Sequence, residues 1–283
     1  MRNKNESNIG IKPVLYTIVF EMKKQRKKFY FFLGIAVLVV FLQSFLLQAL
    51  LPTFLLSDTQ AEFFNSGLTF IEFLALLAAC LFFSSIICSE FDKKTGYIVF
   101  PKINKYKLIL GKYIGNLALV VGILTAYYFF LGLLGLFYYG GPINIRFFYS
   151  YGIAILYVIA LSSFVTFFSS FMKSVNLTII TTILLLLIGF NIVDQIVTMI
   201  FAGDVEPLYS ITYLGGLITG ILQNPFPDPR YAEIPMGGMG GGMEGFTFFQ
   251  WITPSVEMGI ILLLIFSVAY LLLAAYLFKR RQL

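Results

Sequence analysis

The sequence has no histidine and only two cysteines among its 283 residues. Histidine is the commonest general base and metal ligand of proteins, so its absence excludes Ser-His and Cys-His nucleophilic sites and histidine-bound zinc. Cys80 and Cys88 lie in one apolar run. On a helix their separation is a rise of about 12 Å, which is too long for a disulfide. We expect both to be small buried residues.

Charged residues are also scarce. They make up 12% of the chain, against about 25% in soluble proteins. Hydrophobic residues reach 59% and the mean hydropathy is +0.87, whereas soluble domains are about 45–50% apolar. This composition predicts an all-α, polytopic membrane protein.

Six stretches are long and apolar enough to cross a bilayer, which takes about 20 residues. They are residues 29–51, 67–88, 114–139, 147–171, 176–201 and 256–278. Together they predict a six-span transmembrane domain over residues 29–278. A weaker apolar stretch at 208–223 is short and contains three glycines.

The positive charges are distributed unevenly between the two sides of these spans. Eighteen of the twenty lysines and arginines fall before span 1, in the loop at 89–113, between spans 4 and 5, or in the basic tail at 279–283. Only Arg146 and Arg230 lie on the other side. By the positive-inside rule, both termini are cytoplasmic. A crossing at 208–223 would put the basic tail outside, so we interpret that stretch as an outer re-entrant segment. The expected location is a prokaryotic plasma membrane.

The N-terminal segment, 1–28, has an amphipathic pattern in its second half. Ile11, Val14, Leu15 and Ile18 begin an apolar series at helical spacing, and a run rich in lysine follows it. This pattern predicts an amphipathic helix that lies on the inner membrane surface, with its lysines close to anionic lipid.

Three acidic residues lie within or at the edge of spans: Glu72, Asp194 and Glu257. Intramembrane carboxylates are candidates for function. The predicted orientation places all three near the outer ends of their spans. They are therefore either ordinary interfacial carboxylates or parts of an outer gate. A proton relay would need acids near the midplane, and the spans contain none there.

The longest outer loop, 202–255, is rich in glycine and methionine. Met236, Met239 and Met243 have the spacing of a thioether site for a soft ion such as Cu(I). The six glycines between 236 and 245 oppose a helix that would align the three sulfurs. We therefore expect a flexible loop, and keep metal binding as the less favoured interpretation.

No nucleotide-binding motif is present. The sequence LGKYIG contains Gly-Lys but lacks the upstream glycine spacing and the Ser or Thr that holds magnesium. We expect no ATP hydrolysis by this chain alone, no catalytic residue and no cofactor of its own.

The loop between spans 2 and 3 is longer than a turn requires. Residues 91–100 can form a short helix that ends at Pro101, and Asn104 is a good N-cap for an extension of span 3. The mixture of aromatic and charged residues suits a protein-binding surface. It equally suits lysines that satisfy the positive-inside rule beside aromatic rings in the headgroups.

The stretch SSIICSEFDKKTGYIVFPKINKYKLILGKYIGN, in its order of spans, resembles the membrane subunit of a type-2 ABC exporter, with the architecture of the ABCG lipid and drug exporters. The residues that carry the resemblance are Glu90, Thr95, Gly96, Pro101, Lys107, Gly111 and Lys112. Many relatives have Ser-Arg where this chain has Asn104 and Lys105, which keeps a cap and a charge, and Gly-Thr where this chain has Thr-Gly.

The resemblance implies a cytoplasmic coupling helix that docks on a separate ATPase subunit, and an N-terminal connecting helix beside it. It also implies a second permease copy, as in a homodimer, and ATP with magnesium in the ATPase. The implied ATPase-coupling residues are Glu90, Phe91, Asp92, Lys93, Lys94, Thr95, Gly96, Tyr97, Ile98 and Phe100.

Two alternatives remain open at this point. One is a related permease for metalloenzyme maturation or metal handling, supported only by the methionine-glycine loop. The other is an ion-driven secondary transporter or carboxylate-using membrane enzyme that depends on Glu72, Asp194 and Glu257. No nucleic acid is expected as a partner, and the substrate is not indicated by any residue.

Overall fold

The computed structural model describes residues 12–46, 59–92, 104–201, 203–235 and 247–280. These residues are mostly helical. The first half contains α1 (Lys12–Phe41), a π-helical turn (Leu42–Leu46), α2 (Gln60–Leu68), α3 (Ile71–Phe83), α4 (Ser85–Asp92), α5 (Lys105–Tyr139) and α6 (Ile145–Phe171). The second half contains α7 (Val175–Leu184), a π-helical turn (Leu185–Gly189), α8 (Phe190–Ile200), α9 (Ile211–Gly215), α10 (Leu217–Gly220), β1 (Tyr231–Pro235), β2 (Thr247–Trp251) and α11 (Val256–Arg280).

Five helical stretches in the described part of the chain are long and apolar enough to cross a membrane. They are Gln60–Asp92, Lys105–Tyr139, Ile145–Phe171, Val175–Ile200 and Val256–Arg280. These match predicted spans 2 to 6, and they indicate a membrane protein. The first predicted span, 29–51, extends into residues that the structure does not describe.

Helix α1 differs from the predicted surface-lying segment. Residues 12–28 continue without interruption into the apolar part of α1, and α1 packs in parallel along α5. Its buried face is polar at the N-terminal end, with Thr17, Glu21 and Gln25 all withdrawn from solvent. Its apolar residues Leu15 and Val19 are exposed instead. In the described residues this segment is the N-terminal part of α1 and not a separate helix, and its position at the membrane surface remains a prediction.

Two glycines on α5 permit this close approach. A methyl group on Gly111 would lie 2.7 Å from Cβ of Thr17, and one on Gly115 would lie 3.1 Å from the backbone oxygen of Ile18. Both distances are shorter than ordinary van der Waals contacts. Small residues at helix interfaces allow backbones to approach in this way within membranes. Glu21 is held on the same face by an ion pair with Lys24 at 2.9 Å.

Hydroxyl groups connect the central helices. At the junction of α3 and α4, the Ser169 hydroxyl of α6 donates to the Ser84 carbonyl at 2.7 Å. It also accepts from the backbone amides of Ile87 and Cys88 at 3.2 and 3.0 Å. The break between α3 and α4 leaves these backbone groups without partners inside a helix, and water is scarce in the interior. The single Ser169 side chain supplies the hydrogen bonds that they need.

The segment after α8 is more ordered than the predicted loop. Helices α9 and α10 pack against α6, and the Ser150 hydroxyl of α6 donates to the Ile218 carbonyl at 2.7 Å. The strands β1 and β2 form an antiparallel hairpin in which Tyr231 pairs with Trp251. This hairpin was not predicted. The connecting residues 236–246, including the three methionines, lie outside the described residues.

The late spans are far less buried than the early ones. Of the most apolar 18-residue window, 72% is buried in Gln60–Asp92 but only 6% in Val175–Ile200 and 17% in Val256–Arg280. The early helices therefore form the core of the bundle. One side of Val175–Ile200 lines a partly open cavity.

Candidate functional site

A cavity of about 850 Å³ lies between α3 and α8. One wall is a single face of α3, extended by Thr69 just before the helix begins. Thr69, Glu72, Phe73 and Leu76 lie on this face at helical spacing. Tyr157 of α6 also lines the cavity, and its side chain is almost completely buried. This wall places one carboxylate among aromatic and aliphatic groups.

The opposite wall comes from the π-helical turn and α8. The π-helical turn contributes the apolar Leu186 and Leu187, and α8 contributes the polar Asn191, Asp194, Gln195 and Thr198. The Asn191 amide donates to the Leu187 carbonyl at 2.6 Å, which satisfies a backbone group of the turn. π-helical turns are rare and occur frequently at functional sites, because the extra residue alters the direction of side chains.

Asp194 is positioned by the start of α9. The Ser210 hydroxyl donates to Oδ2 of Asp194 at 2.9 Å and, as the N-cap of α9, accepts from the Tyr213 amide. Burial, reinforced by the adjacent Asp194 carboxylate, raises the pKa of Tyr209 to about 12. Oδ1 of Asp194 is buried and has no hydrogen bond of normal geometry with any described residue. The Tyr209 hydroxyl also acts as a hydrogen-bond donor to this carboxylate, so both known donors to Asp194 are neutral hydroxyl groups.

The roof of the cavity includes Tyr213 and the end of β2. Arg230 donates to Glu206 at 2.7 Å, and its guanidinium lies 5.4 Å from the centre of the Trp251 ring. The Trp251 indole donates to the Gly203 carbonyl at 2.7 Å. The Tyr213 hydroxyl also donates to Glu206, at 3.0 Å. These contacts hold the hairpin over the C-terminal end of α8.

Burial is the main cause of a raised pKa at Tyr213, and the Glu206 carboxylate adds to it. The neighbouring Arg230 opposes the shift. Tyr213 therefore keeps its proton at neutral pH and acts as a hydrogen-bond donor.

The structure brings together two of the three predicted gate residues. Glu72 and Asp194 line the same cavity, whereas Glu257 is exposed in the first turn of α11 and is not among the lining residues. Their predicted role in an outer gate remains a prediction. The described residues contain no group of three or more acidic or cysteine side chains that could hold a metal ion. The methionines Met236, Met239 and Met243 are outside the described part.

A second feature is a buried ion pair where the end of α4 meets the start of α5. Lys112 donates to Glu90 in an ion pair, and both residues are nearly inaccessible to solvent. The lysine also lies 3.4 Å from the Ile86 carbonyl and 3.5 Å from the Ser89 hydroxyl. Glu90 is one of the predicted ATPase-coupling residues. Its carboxylate is buried and joins the end of α4 to the start of α5, and its role in coupling remains a prediction.

Of the other predicted coupling residues, only Phe91 and Asp92 lie in the described part of the chain. Phe91 is half-buried, with its ring 6.2 Å from that of Phe278 near the end of α11. Tyr106 contacts the same Phe278 ring from α5 at 6.4 Å, and Asp92 is exposed. The others lie outside the described residues: Lys93, Lys94, Thr95, Gly96, Tyr97, Ile98 and Phe100.

The sequence matches no protein-family model and no curated protein. The site is therefore defined by its own residues. Sequence reasoning missed Glu206, Tyr157 and the role of Trp251. A usable signal existed for Trp251, since it is the single tryptophan of the chain. The Arg230 that lies over its ring is one of only two cations predicted on the outer side.

Proposed function

We propose that the chain is the membrane-spanning permease subunit of a type-2 ABC exporter in a prokaryotic plasma membrane. It would move a substrate across that membrane with energy from a separate ATPase subunit, which holds the ATP and magnesium. The observation that carries the proposal is the buried Lys112–Glu90 pair. It joins the two ends of the loop that the family resemblance assigns to ATPase docking.

The pair would couple the end of α4 rigidly to the start of α5, and we call this unit the lever. A buried ion pair resists separation because removing either partner leaves an unpaired charge in an apolar interior. A force on residues 93–103 would therefore move α4 and α5 together. The Phe91 and Tyr106 contacts with Phe278 extend the same unit to α11.

The lever is continuous with the cavity. α4 follows α3 after the break at Ser84, and α3 carries Glu72. Movement of α4 would shift the cavity wall formed by α3 relative to α8. The π-helical turn just before α8 interrupts the regular helix and would allow α8 to change direction there. Such relative movement of two packed walls is how a transport site changes its side of access. Two permease copies and two ATPases would form the working complex, surrounded by lipid.

The test is association with the ATPase. The full chain is purified from its native membrane and the co-purified proteins are searched by mass spectrometry for an ATPase with nucleotide-binding motifs. We expect the wild-type chain to retain such a protein and Tyr97→Asp to lose it. Tyr97 is preferred to Phe91 because the Phe91 ring also packs against Phe278 within the bundle. Phe91→Asp would therefore disturb both the packing of the bundle and any contact with the ATPase.

The matched control is Val205→Asp, an apolar-to-acid change at an exposed position of the predicted outer side. It should leave the association intact. The proposal is wrong if Tyr97→Asp retains the ATPase at the wild-type ratio, or if the wild-type chain co-purifies with none.

A second candidate is an ion-driven secondary transporter, since Glu72 and Asp194 line one cavity. Purified chain in vesicles, without any ATPase, distinguishes the two candidates. An ion-driven carrier would accumulate substrate when a proton or sodium gradient is imposed. The permease would show no gradient-dependent uptake until ATPase and ATP are added.

A further inference from the structure

We propose that the cavity between α3 and α8 binds an amphipathic organic cation, held between Glu72 and Asp194 with its apolar body against the aromatic wall. This names the substrate class for the transport role proposed above and rests on that role. The inference comes from the charge, lining and dimensions of the cavity.

The charge of the cavity has one sign. It has two carboxylates, and none of the described residues that line it is a lysine or an arginine. Glu72 makes no hydrogen bond or ion pair with any residue that the structure describes. Asp194 accepts hydrogen bonds from the neutral hydroxyl groups of Ser210 and Tyr209, and no described lysine or arginine forms an ion pair with it. A partly buried carboxylate that lacks a cationic partner is costly, and a bound cation would reduce that cost.

The lining also selects for an apolar ligand with aromatic affinity. The aromatic side chains of Phe73, Tyr157 and Trp251 are among the lining residues, and Leu76 and Leu186 add aliphatic surface. A cation near such rings is attracted by their π faces as well as by carboxylates. The volume of about 850 Å³ falls in the range of about 300–1,000 Å³ typical of small-molecule sites.

A bare metal ion fits less well. Hard divalent cations take six or more oxygen ligands in a tight shell, and the described residues hold no suitable cluster. Much of the cavity wall is hydrocarbon, which a hydrated ion would not use. An organic cation satisfies both the two carboxylates and the rings.

Trp251 provides a direct reporter, because it lines the cavity and is the single tryptophan of the chain. The full chain, purified in detergent without any ATPase, is titrated with tetraphenylphosphonium while Trp251 emission is recorded. Equilibrium dialysis of labelled tetraphenylphosphonium measures the affinity in parallel. Tetraphenylborate, with the same four rings and the opposite charge, is the matched ligand control.

We expect saturable binding of the phosphonium and none of the borate. Glu72→Gln and Asp194→Asn should each weaken binding at least about tenfold, the effect of losing about 1.4 kcal/mol of charge interaction. Glu72→Asp should bind within about threefold of the wild type, because it keeps the charge. Glu257→Gln removes the same charge outside the cavity and should bind normally. Unchanged Trp251 emission in the absence of ligand verifies that each variant keeps its cavity.

Three results would overturn the proposal: equal affinities for phosphonium and borate, wild-type affinity in both charge-neutralised variants, or binding by dialysis with no change at Trp251. Because no ATPase is present, failure here leaves the ATPase-association test unaffected. Conversely, cation binding by a chain that co-purifies with no ATPase would refute the exporter assignment while keeping the site.

Discussion

Lys112 and Glu90 form a buried ion pair that fastens the start of α5 to the end of α4. Replacing Lys112 by methionine would leave the Glu90 carboxylate buried without its cation. The expected loss is about 3–5 kcal/mol of folding free energy, because a buried carboxylate that has lost its cation costs far more than the intact pair contributes. The change is measured as a lower midpoint of thermal unfolding in detergent.

The double variant Glu90→Gln/Lys112→Met gives the corresponding cycle. It should be more stable than Lys112→Met, because the buried carboxylate charge has been removed together with its cation. Lys173→Met, at an exposed lysine, should leave the midpoint close to that of the wild type. Equal midpoints for Lys112→Met and Lys173→Met would contradict the assigned burial of the pair.

Much of this arrangement could not be deduced from the sequence. The apolar runs identify spans 2 to 6, because a span is a local property of about 20 residues. The partner of Glu90 is 22 positions away, and which lysine it meets depends on how two helices pack. The pattern also assigned Glu90 to an accessible surface, since a charge beside a span end commonly faces water.

The α1–α5 interface supplies a second test. Gly111→Ala would place a methyl group 2.7 Å from Cβ of Thr17, so the helices must separate. We expect a destabilisation of about 1–3 kcal/mol, as for other overpacked positions. Gly152→Ala is the matched control, because a methyl group there meets no atom within 4 Å. Comparison of the two unfolding midpoints checks the interface, and a similar midpoint for both would argue against close packing.

The same interface shows why amphipathicity was misleading in α1. The apolar series that begins at Ile11 correctly indicates a helix. It does not indicate which face is buried, because in a membrane the apolar side can face lipid while a polar side packs within the protein. Thr17 and Glu21 are buried because Gly111 and Gly115 offer them space. The pairing of these residues depends on the parallel arrangement of α1 and α5.

The roof of the cavity gives a third prediction. Arg230→Gln removes both the ion pair with Glu206 and the cation over Trp251. Because the pair is partly exposed, we expect a modest loss of about 1 kcal/mol, concentrated in the hairpin. The emission of Trp251 should move to longer wavelength, and its indole ring should become more accessible to quenching by acrylamide.

Arg146→Gln is its control, since Arg146 donates to the Gln223 carbonyl and to Asn224 Oδ1 at 3.1 Å, away from the tryptophan. It should leave the emission of Trp251 unchanged. If the two arginine variants gave the same spectrum as the wild type, Arg230 would have no part in holding the roof.

The cavity itself illustrates the limit of sequence reasoning for the site. Glu72 and Asp194 were both recognised as unusual because charges within apolar runs are costly. Their shared cavity could not be recognised, since it depends on α3 and α8 facing each other and on the π-helical turn that directs Asn191. Glu257 looked equivalent in the sequence, yet it lies in an exposed first turn.

The predicted orientation can be tested with the native cysteines as an internal background. Cys80 and Cys88 are both free and buried, so the wild-type chain should react negligibly with a membrane-impermeant maleimide. Met239→Cys introduces a thiol into the predicted outer loop, and it should be labelled in intact cells. Lys94→Cys introduces one into the predicted cytoplasmic loop, and it should be labelled only after the membrane is opened. The reverse pattern would place the basic loop outside. It would also exclude docking of a cytoplasmic ATPase on that loop, because the lever formed by Lys112 and Glu90 would then face the wrong compartment.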